Sequence, residues 1–374
     1  MMALALNNLR RDRRRTVATM VALTSGLVAV LLFLAYVGFV EGALARVVIH
    51  AQGNGHVQVY RSRGQANLAA FPARYALDAE DQRQIAAQVA AIPGVRRVGA
   101  DMTGVGMIQG DTRSTVFLAT GMDPGFEAGL RNDGAQASAT LPTDAIRVTP
   151  HLADRIGAAV GDEVQLVATS YAQRGNATDA TIGGHFSTGI EAIENKGLRM
   201  PLAAMQALYD TSAVSRVIVQ LHDRAETQGV AEALGQALEK AMPKRFEVAT
   251  WQSPQVGQLY NSFMGFFNML FAFAGIVIAL VAVATMQHTV VMNVEDRMKE
   301  VGTLRAIGFS RARIVWLFVV ETAVTAALVA VIAALLAWAI ATGLAAAGVM
   351  TSLPRVSEAV PLRSPGRQRR WPSY

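Results

Sequence analysis

Three long apolar runs and one long mixed stretch divide the chain. Val17 to Val40, VATMVALTSGLVAVLLFLAYVGFV, contains no Asp, Glu, Lys or Arg. As a helix rising about 1.5 Å per residue it can cross a ~30 Å hydrocarbon layer. The second run lies between Glu247 and Glu295 and is most apolar from Phe263 to Met286. The third follows Arg313 as IVWLFVVETAVTAALVAVIAALLAWAIATGLAAAGV, longer than one crossing needs. These runs predict transmembrane helices at 17–40, 263–288 and 314–346. Ala323, Ala327, Ala330 and Ala334 recur in the third at a spacing that lets helices approach closely. The general abundance of alanine explains that spacing equally well.

The stretch between the first two runs changes period. GHVQVYR alternates as a strand, and DAEDQRQIAAQVAAIPGV predicts a helix opened by Asp78 with Ile85, Val89 and Ile92 on one face. VRRVGAD then returns as a strand. The order recurs further on: VSRVIVQL as strand, Ala225 to Ala241 as a helix with Val230, Leu234 and Leu238 inward, and RFEVAT as strand. Two strand-helix-strand units flanking an insertion predict a split βαβ domain over 41–255, its halves at about 41–100 and 212–250. Within the insertion, TVFLATGMDP, AIRVTP and VGDEVQLVATS read as short strands and Gly161-Asp162 as a turn. PHLADRIG reads as a short helix and GLRMPLAAMQALYD as another, starting near Pro201. The insertion is therefore expected to be a β-rich subdomain.

Composition supports a membrane setting. Of 374 residues 52% are hydrophobic and 17% charged, and the mean hydropathy is +0.29, too apolar for an ordinary soluble enzyme. Cysteine is absent, which excludes disulfides, thiolate metal sites and cysteine nucleophiles. The net charge of +6 is concentrated beside the apolar runs, without the basic stripe and interleaved aromatics of a nucleic-acid binder. Arg10, Arg11, Arg13, Arg14 and Arg15 precede the first run; Arg297, Lys299, Arg305, Arg311 and Arg313 lie between the second and third. The positive-inside rule places both groups in the cytoplasm. The fold class expected is a polytopic α-helical membrane protein with a large extracytoplasmic mixed α/β domain inserted between the first and second transmembrane helices, and a cytoplasmic segment at 1–16. A cleaved signal peptide is the rival reading, with Ala43-Leu44-Ala45 as its cleavage site. The first run exceeds the usual length of such an apolar region, about 7–15 residues.

No catalytic residue and no metal site is expected. His50, His56, His151, His185, His222 and His288 show no ligand spacing and read as scattered surface or interface histidines. GVGMIQG, Gly104 to Gly110, has the wrong glycine spacing for a dinucleotide fingerprint and reads as a flexible loop. No GxxxxGK[ST] occurs, so this chain is expected to carry no cofactor and to leave any ATP to a partner.

Glu295 to Ile314, EDRMKEVGTLRAIGFSRARI, sets dense charge between two apolar runs. Val294, Met298, Val301, Leu304 and Ile307 share one face, predicting a short amphipathic helix within 293–310. Gly308 is suited to a left-handed cap and Ser310 to capping the helix after it. Arg311 and Arg313 fall in a first helical turn, where the macrodipole disfavours cations, so topology or a partner is their expected role. A lipid-surface helix would carry mainly Lys and Arg. The mixed charges here favour docking on a cytoplasmic protein over a solvated connector.

EDRMKEVGTLRAIGFSRARIVWLFVVE resembles the FtsX-like permeases of ABC transporters, the class of lipoprotein-releasing permeases and macrolide or peptide exporters. ALNNLRRDRRRT is similar to that family's N-terminal segment, and VTPHLADRIGAAVGDEVQLVATS to part of its MacB-like periplasmic domain, nearest the lipoprotein-release branch. The resemblance implies a multi-pass protein of the bacterial inner membrane. It also implies a cytoplasmic ABC ATPase dimer holding ATP and Mg, and a second permease subunit as homodimer or heterodimer. Glu300, Val301, Gly302, Thr303, Leu304, Arg305, Ala306, Ile307 and Gly308 would then form the ATPase-coupling helix, with Arg305 as charged anchor and Gly302 permitting close approach. The implied activity is mechanotransmission, in which ATP-driven closure of paired permeases moves the outer domains and with them a lipoprotein, lipid or other amphipathic substrate. A relay to a periplasmic cell-wall hydrolase and a membrane-anchored ligand sensor are the alternatives. Glu321, about two turns into the third run, is either a structural polar contact, the favoured reading, or part of gating.

The family pattern has a fourth span, whereas the tail TSLPRVSEAVPLRSPGRQRRWPSY, after about residue 350, contains no apolar run. Lysine occurs only at 196, 240, 244 and 299, and arginine supplies the other basic residues. That bias suggests a GC-rich gene, and a frameshift or truncation is the expected origin of the tail.

Overall fold

A computed structural model describes residues 13–111, 113–132, 145–187, 191–296, 298–346, 350–352 and 359–361. One unit comprises Met1–Val40, Phe263–Met350 and Pro361–Tyr374; the other, the inserted domain, comprises Glu41–Ser262 and Thr351–Val360. Helix α1 (Arg13–Arg46) runs into a π-helix, Val47–Ala51. Next come β1 (Val57–Arg61), short helices α2 (Gly64–Asn67) and α3 (Pro72–Tyr75), α4 (Ala79–Ala90), β2 (Val95–Gln109), β3 (Ser114–Met122), α5 (Pro124–Asn132) and β4 (Ala145–Val148). Then follow α6 (Pro150–Ile156), β5 (Glu163–Thr169), β6 (Gly175–His185), α7 (Glu191–Glu194), β7 (Gly197–Pro201) and α8 (Leu202–Leu208). The domain ends with β8 (Arg216–Leu221), a 3₁₀ turn (Arg224–Glu226), α9 (Thr227–Ala241) and β9 (Phe246–Thr250).

Asp78 opens α4 through a capping box. Its carboxylate accepts from the N–H groups of Glu80 and Asp81 at 3.0 and 2.8 Å, and the Asp81 carboxylate accepts from Asp78 N–H. The Asp81 N–H and, against a burial cost, the Arg61 guanidinium hold the Asp78 carboxyl below its ordinary value. A depressed carboxylate contributes stability present above its unfolded pKa and lost as pH falls through the folded one. Asp78→Asn keeps a capping acceptor without the charge. It should melt slightly below wild type at pH 7, and thermal melts should converge once the pH drops below the usual carboxylate range.

Strand β8 lies between β2 and β1, antiparallel to both, and β9 pairs antiparallel with the other edge of β1. The order β2-β8-β1-β9 interlocks the two strand-helix-strand units, as in split βαβ folds. Ile85 and Val89 of α4 and Leu234 and Leu238 of α9 pack with Val57, Val59, Val217 and Val219 into one core. These helices therefore cover one face of that half.

The insertion differs from the separate subdomain its pattern predicts. β2 runs on past Asp101 to pair with β3 and, at Met107–Gln109, with β5. The pairings β3–β7, β7–β4, β4–β6 and β6–β5 complete a ring. Six strands thus close a barrel that shares β2 with the βαβ half, with Met102, Ile108, Phe117, Ile146, Leu166 and Ile182 inside.

The segment Gly104–Gly110, expected as a flexible loop, lies in and just past β2. Its glycines serve close approach. A Cβ on Gly106 would lie 2.5 Å from the Val167 carbonyl oxygen and 2.6 Å from the Phe117 ring, one on Gly110 2.7 Å from the Ile156 carbonyl oxygen, and one on Gly104 would strike the Tyr209 hydroxyl. Gly106→Val is expected to cost about 1–3 kcal/mol by overpacking. Gly229→Ala in α9, where a Cβ meets nothing within 4 Å, should instead stabilise by up to about 1 kcal/mol. Thermal melts of the two variants check both signs.

The first unit holds most of α10 (Gln258–Asp296), α11 (Met298–Ala306) and α12 (Arg311–Ala346), and β10 (Met350–Ser352) pairs with β11 (Ala359–Pro361) in a two-stranded sheet that falls mainly in the second unit. Among the described residues three helical stretches are long and apolar enough to cross a membrane: Leu23–Ala51, Tyr260–Val281 and Arg311–Leu344. The first reaches into the inserted domain, where Ala43, Leu44, Ala45, Val48 and Ile49 are buried. Phe33 of α1 and Phe271 of α10 meet with ring centroids 4.5 Å apart. On α12 the buried positions among the described residues are Ile314, Val329, Ala333 and Ala337, whereas Ala323, Ala327, Ala330 and Ala334 are exposed. The expected alanine stripe is thus not the face packed within one chain.

Candidate functional site

The charged link between α10 and α12 is built by local rules. α10, described to Asp296, carries Val294, and α11, Met298–Ala306, follows within the 293–310 expected for the interfacial helix. It ends where Gly308 adopts φ +97°, a backbone region that favours glycine. Ile307 N–H donates to Thr303 and Gly308 N–H to Arg305, both at 3.1 Å. Ser310 caps α12, accepting from Arg313 N–H on its carbonyl at 3.1 Å and its hydroxyl at 3.4 Å.

Gly302, Thr303, Arg305, Ala306, Ile307, Gly308, Arg311 and Arg313 are exposed. Met298 is 64% and Ile307 72% exposed, so their apolar face is not covered by the described chain; Val301 is half-buried. Phe309 in the link, which the sequence reading passed over, is exposed too. Arg305, in the last turn of α11, suits the negative end of the helix dipole. Glu300, Leu304, Glu321, Arg13, Arg14 and Arg15 stand on helices, their side chains outside the described residues; Arg10 and Arg11 lie outside altogether.

A second group of residues gathers where the chain enters and leaves the inserted domain. Arg224 pairs with Glu41 of α1 at 3.6 Å and sits 5.7 Å from the Trp251 ring, which in turn packs on Tyr260 at 4.7 Å. Arg199 of β7 donates to the carbonyl of Ala51, the last residue of the π-helix. Sequence reasoning missed both contacts, since each joins residues far apart in the chain.

His56, expected near the surface, is buried and accepts from Leu221 N–H at 3.2 Å through Nδ1. Among the described residues no group of three His, Cys, Asp or Glu is arranged to hold a metal ion. Burial pushes the Tyr171 hydroxyl up to about 12 and raises that of Tyr209, which donates to the Val105 carbonyl. Both stay neutral phenols and act as packing groups. What the exposed α11 link offers is a surface for contact.

Apolar helices on either side of an inserted domain, with a short polar helix between the last two, define a membrane protein with a domain beyond the bilayer. Residues 16–237 match the family model for the MacB-like periplasmic core domain, and residues 271–356 that for the FtsX-like permease C-terminal domain. The chain belongs to the FtsX/MacB-like family of ABC-transporter permeases, membrane subunits with a periplasmic domain.

Solved structures similar to this chain include the extracellular domain of the ABC-type transporter YknZ from Gram-positive bacteria, at 15% identity and a TM-score of 0.37, covering 52% of this chain and 100% of that one. The periplasmic region of MacB from Actinobacillus actinomycetemcomitans has 10% identity and a TM-score of 0.39, covering 58% and 95%. A permease domain from Porphyromonas gingivalis has 17% identity and a TM-score of 0.32, covering 53% and 89%. No curated protein matches the sequence.

Proposed function

We propose that this chain is a multi-pass inner-membrane permease subunit that receives the work of ATP hydrolysis from a separate ABC ATPase dimer and delivers it to the periplasmic domain. The observation that carries the reading is α11 with its link: a short helix of mixed charge, with Met298, Ile307 and Phe309 exposed, between two spanning-length helices. Exposed apolar side chains among charges of both signs suit a protein partner better than lipid. Residues Glu300 to Gly308 form the contact. Arg305 is its charged anchor, and Gly302, where a Cβ meets nothing within 4 Å, leaves the backbone open to close approach.

In this reading residues 1–16 and the α11 link are cytoplasmic, and a second permease subunit, identical or related, completes the assembly. ATP-driven closure of the pair moves the periplasmic domains and so carries a lipoprotein, lipid or other amphipathic substrate without a transmembrane pore. The partner ATPase supplies ATP and Mg. The test is to purify the tagged full-length protein from native membranes in mild detergent and identify its companions by mass spectrometry. Recovery of a P-loop ATPase is expected. Folded, abundant protein with no ATPase would overturn the reading.

A further inference from the structure

We propose that Arg199 fastens the end of helix α1 to the barrel, so that the barrel follows when that end is displaced. Arg199 is 7% exposed and reaches the π-helix, α5 and the segment after β6. Its Nη2 donates to the Ala51 carbonyl at the end of the π-helix. Its Nη1 lies 3.4 Å from Glu127 Oε1 on α5, and its guanidinium stacks 4.6 Å from the Phe186 ring just beyond β6. A planar fork of five donors serves partners in several directions at once, which a lysine ammonium does poorly.

The position of Ala51 gives the contact its consequence. The last carbonyls of a helix need donors from outside it, and the final carbonyl of this one takes its donor from a barrel strand. The π-helix is itself an uncommon winding, shown by Gln52 N–H donating to Val47 at 2.9 Å, and Gly55 N–H donates back to Ile49 at 2.9 Å. The βαβ half holds α1 separately, through Glu41 and Arg224. That pair is partly exposed and contributes little, whereas the Arg199 bond is part-buried and made by a guanidinium largely withdrawn from solvent, where hydrogen bonds are stronger than at the surface. Arg147 holds the same Glu127 oxygen at 3.2 Å, so removing Arg199 leaves that carboxylate with a counter-charge.

The part of this inference that concerns movement rests on the permease reading; the fastening does not. The experiment compares wild type, Arg199→Gln and Arg199→Lys as full-length protein with its co-purified ATPase. Hydrogen exchange should quicken at least tenfold at the amides of Gln52 and Gly55 in Arg199→Gln, less in Arg199→Lys, with β5 and β6 unchanged. The chain lacks cysteine, so spin labels can be placed at Arg46→Cys and Val160→Cys, both exposed. Their distance distribution should stay narrow in wild type with and without ATP, and broaden in Arg199→Gln when ATP is added. Unchanged exchange at Gln52 and Gly55, or equal loosening of β5 and β6, would overturn the fastening. A distribution in Arg199→Gln as narrow as wild type would overturn the coupling. If no ATPase co-purifies, the permease reading and the movement fall together, and the exchange comparison, which needs no nucleotide, still decides the fastening.

Discussion

Arg305→Glu is expected to abolish recovery of the ATPase while leaving the permease folded. The two effects separate because Arg305 is exposed at the end of α11. Within the helix, the reversed charge loses a favourable dipole interaction of about 0.3–1 kcal/mol. No buried packing goes with it. At a docked interface, removing one partner of a buried, hydrogen-bonded charge pair costs about 2–5 kcal/mol, and reversal adds repulsion. At about 1.4 kcal/mol per decade, that loss weakens binding roughly 30- to 4,000-fold, enough to lose a partner during purification. Arg305→Lys keeps the charge without the fork and should fall between. Mass spectrometry of the purified material, with its ATPase rate and a circular dichroism melt, reads all three variants. ATPase retained at wild-type stoichiometry in Arg305→Glu would move the anchor elsewhere within Glu300 to Gly308.

The parts of this fold that were legible from sequence are those whose signal is local. Ile85 and Val89, or Leu234 and Leu238, repeat at the helical period because each helix covers one face of one sheet, and Asp78 caps α4 using amides two and three residues away. What escaped depends on distant partners. β6, GNATDATIGGH, has little alternation and too many small residues to read as a strand, yet it pairs along β5 from Gly175↔Thr169 to Thr181↔Glu163. The glycines of β2 suggest a loop until Tyr209, Phe117 and the Val167 carbonyl come to rest against them. The helix over Met298–Ala306 was legible because its periodicity, its glycine cap and the next N-cap lie within one short stretch, whereas the bounds Glu300–Gly308 came from the family resemblance. Arg199 looks like any strand arginine until Ala51 and Glu127 meet it.

A loss of about 3–5 kcal/mol is expected from Asp101→Ala, because it would strand a buried guanidinium. Asp101 is 0% exposed and lies where β2 passes from the βαβ half into the barrel, opposite Arg216 on one side and Met122 on the other. Its carboxylate accepts from Arg216 Nε at 2.9 and 3.0 Å and from Nη2 at 2.6 Å, while Nη1 donates to the Tyr60 hydroxyl at 3.1 Å. Burial works against the charge on Arg216, and Asp101 and Tyr60 outweigh it, holding the guanidinium above its ordinary pKa. Alanine removes the counter-charge and leaves the burial. Against a typical domain stability of about 5–15 kcal/mol, the loss is large. At about 2–4 °C per kcal/mol for a domain of this size, the melting temperature should fall by roughly 6–20 °C. Asp101→Leu combined with Arg216→Met removes both charges and should recover most of the loss, which separates the stranded charge from mere loss of a side chain. Since β2 is common to both halves, Asp101→Ala should lower a single transition. Two resolved transitions would mean that the barrel and the βαβ half melt independently, and a shift under about 2 °C would mean that water reaches Arg216 once the carboxylate is gone.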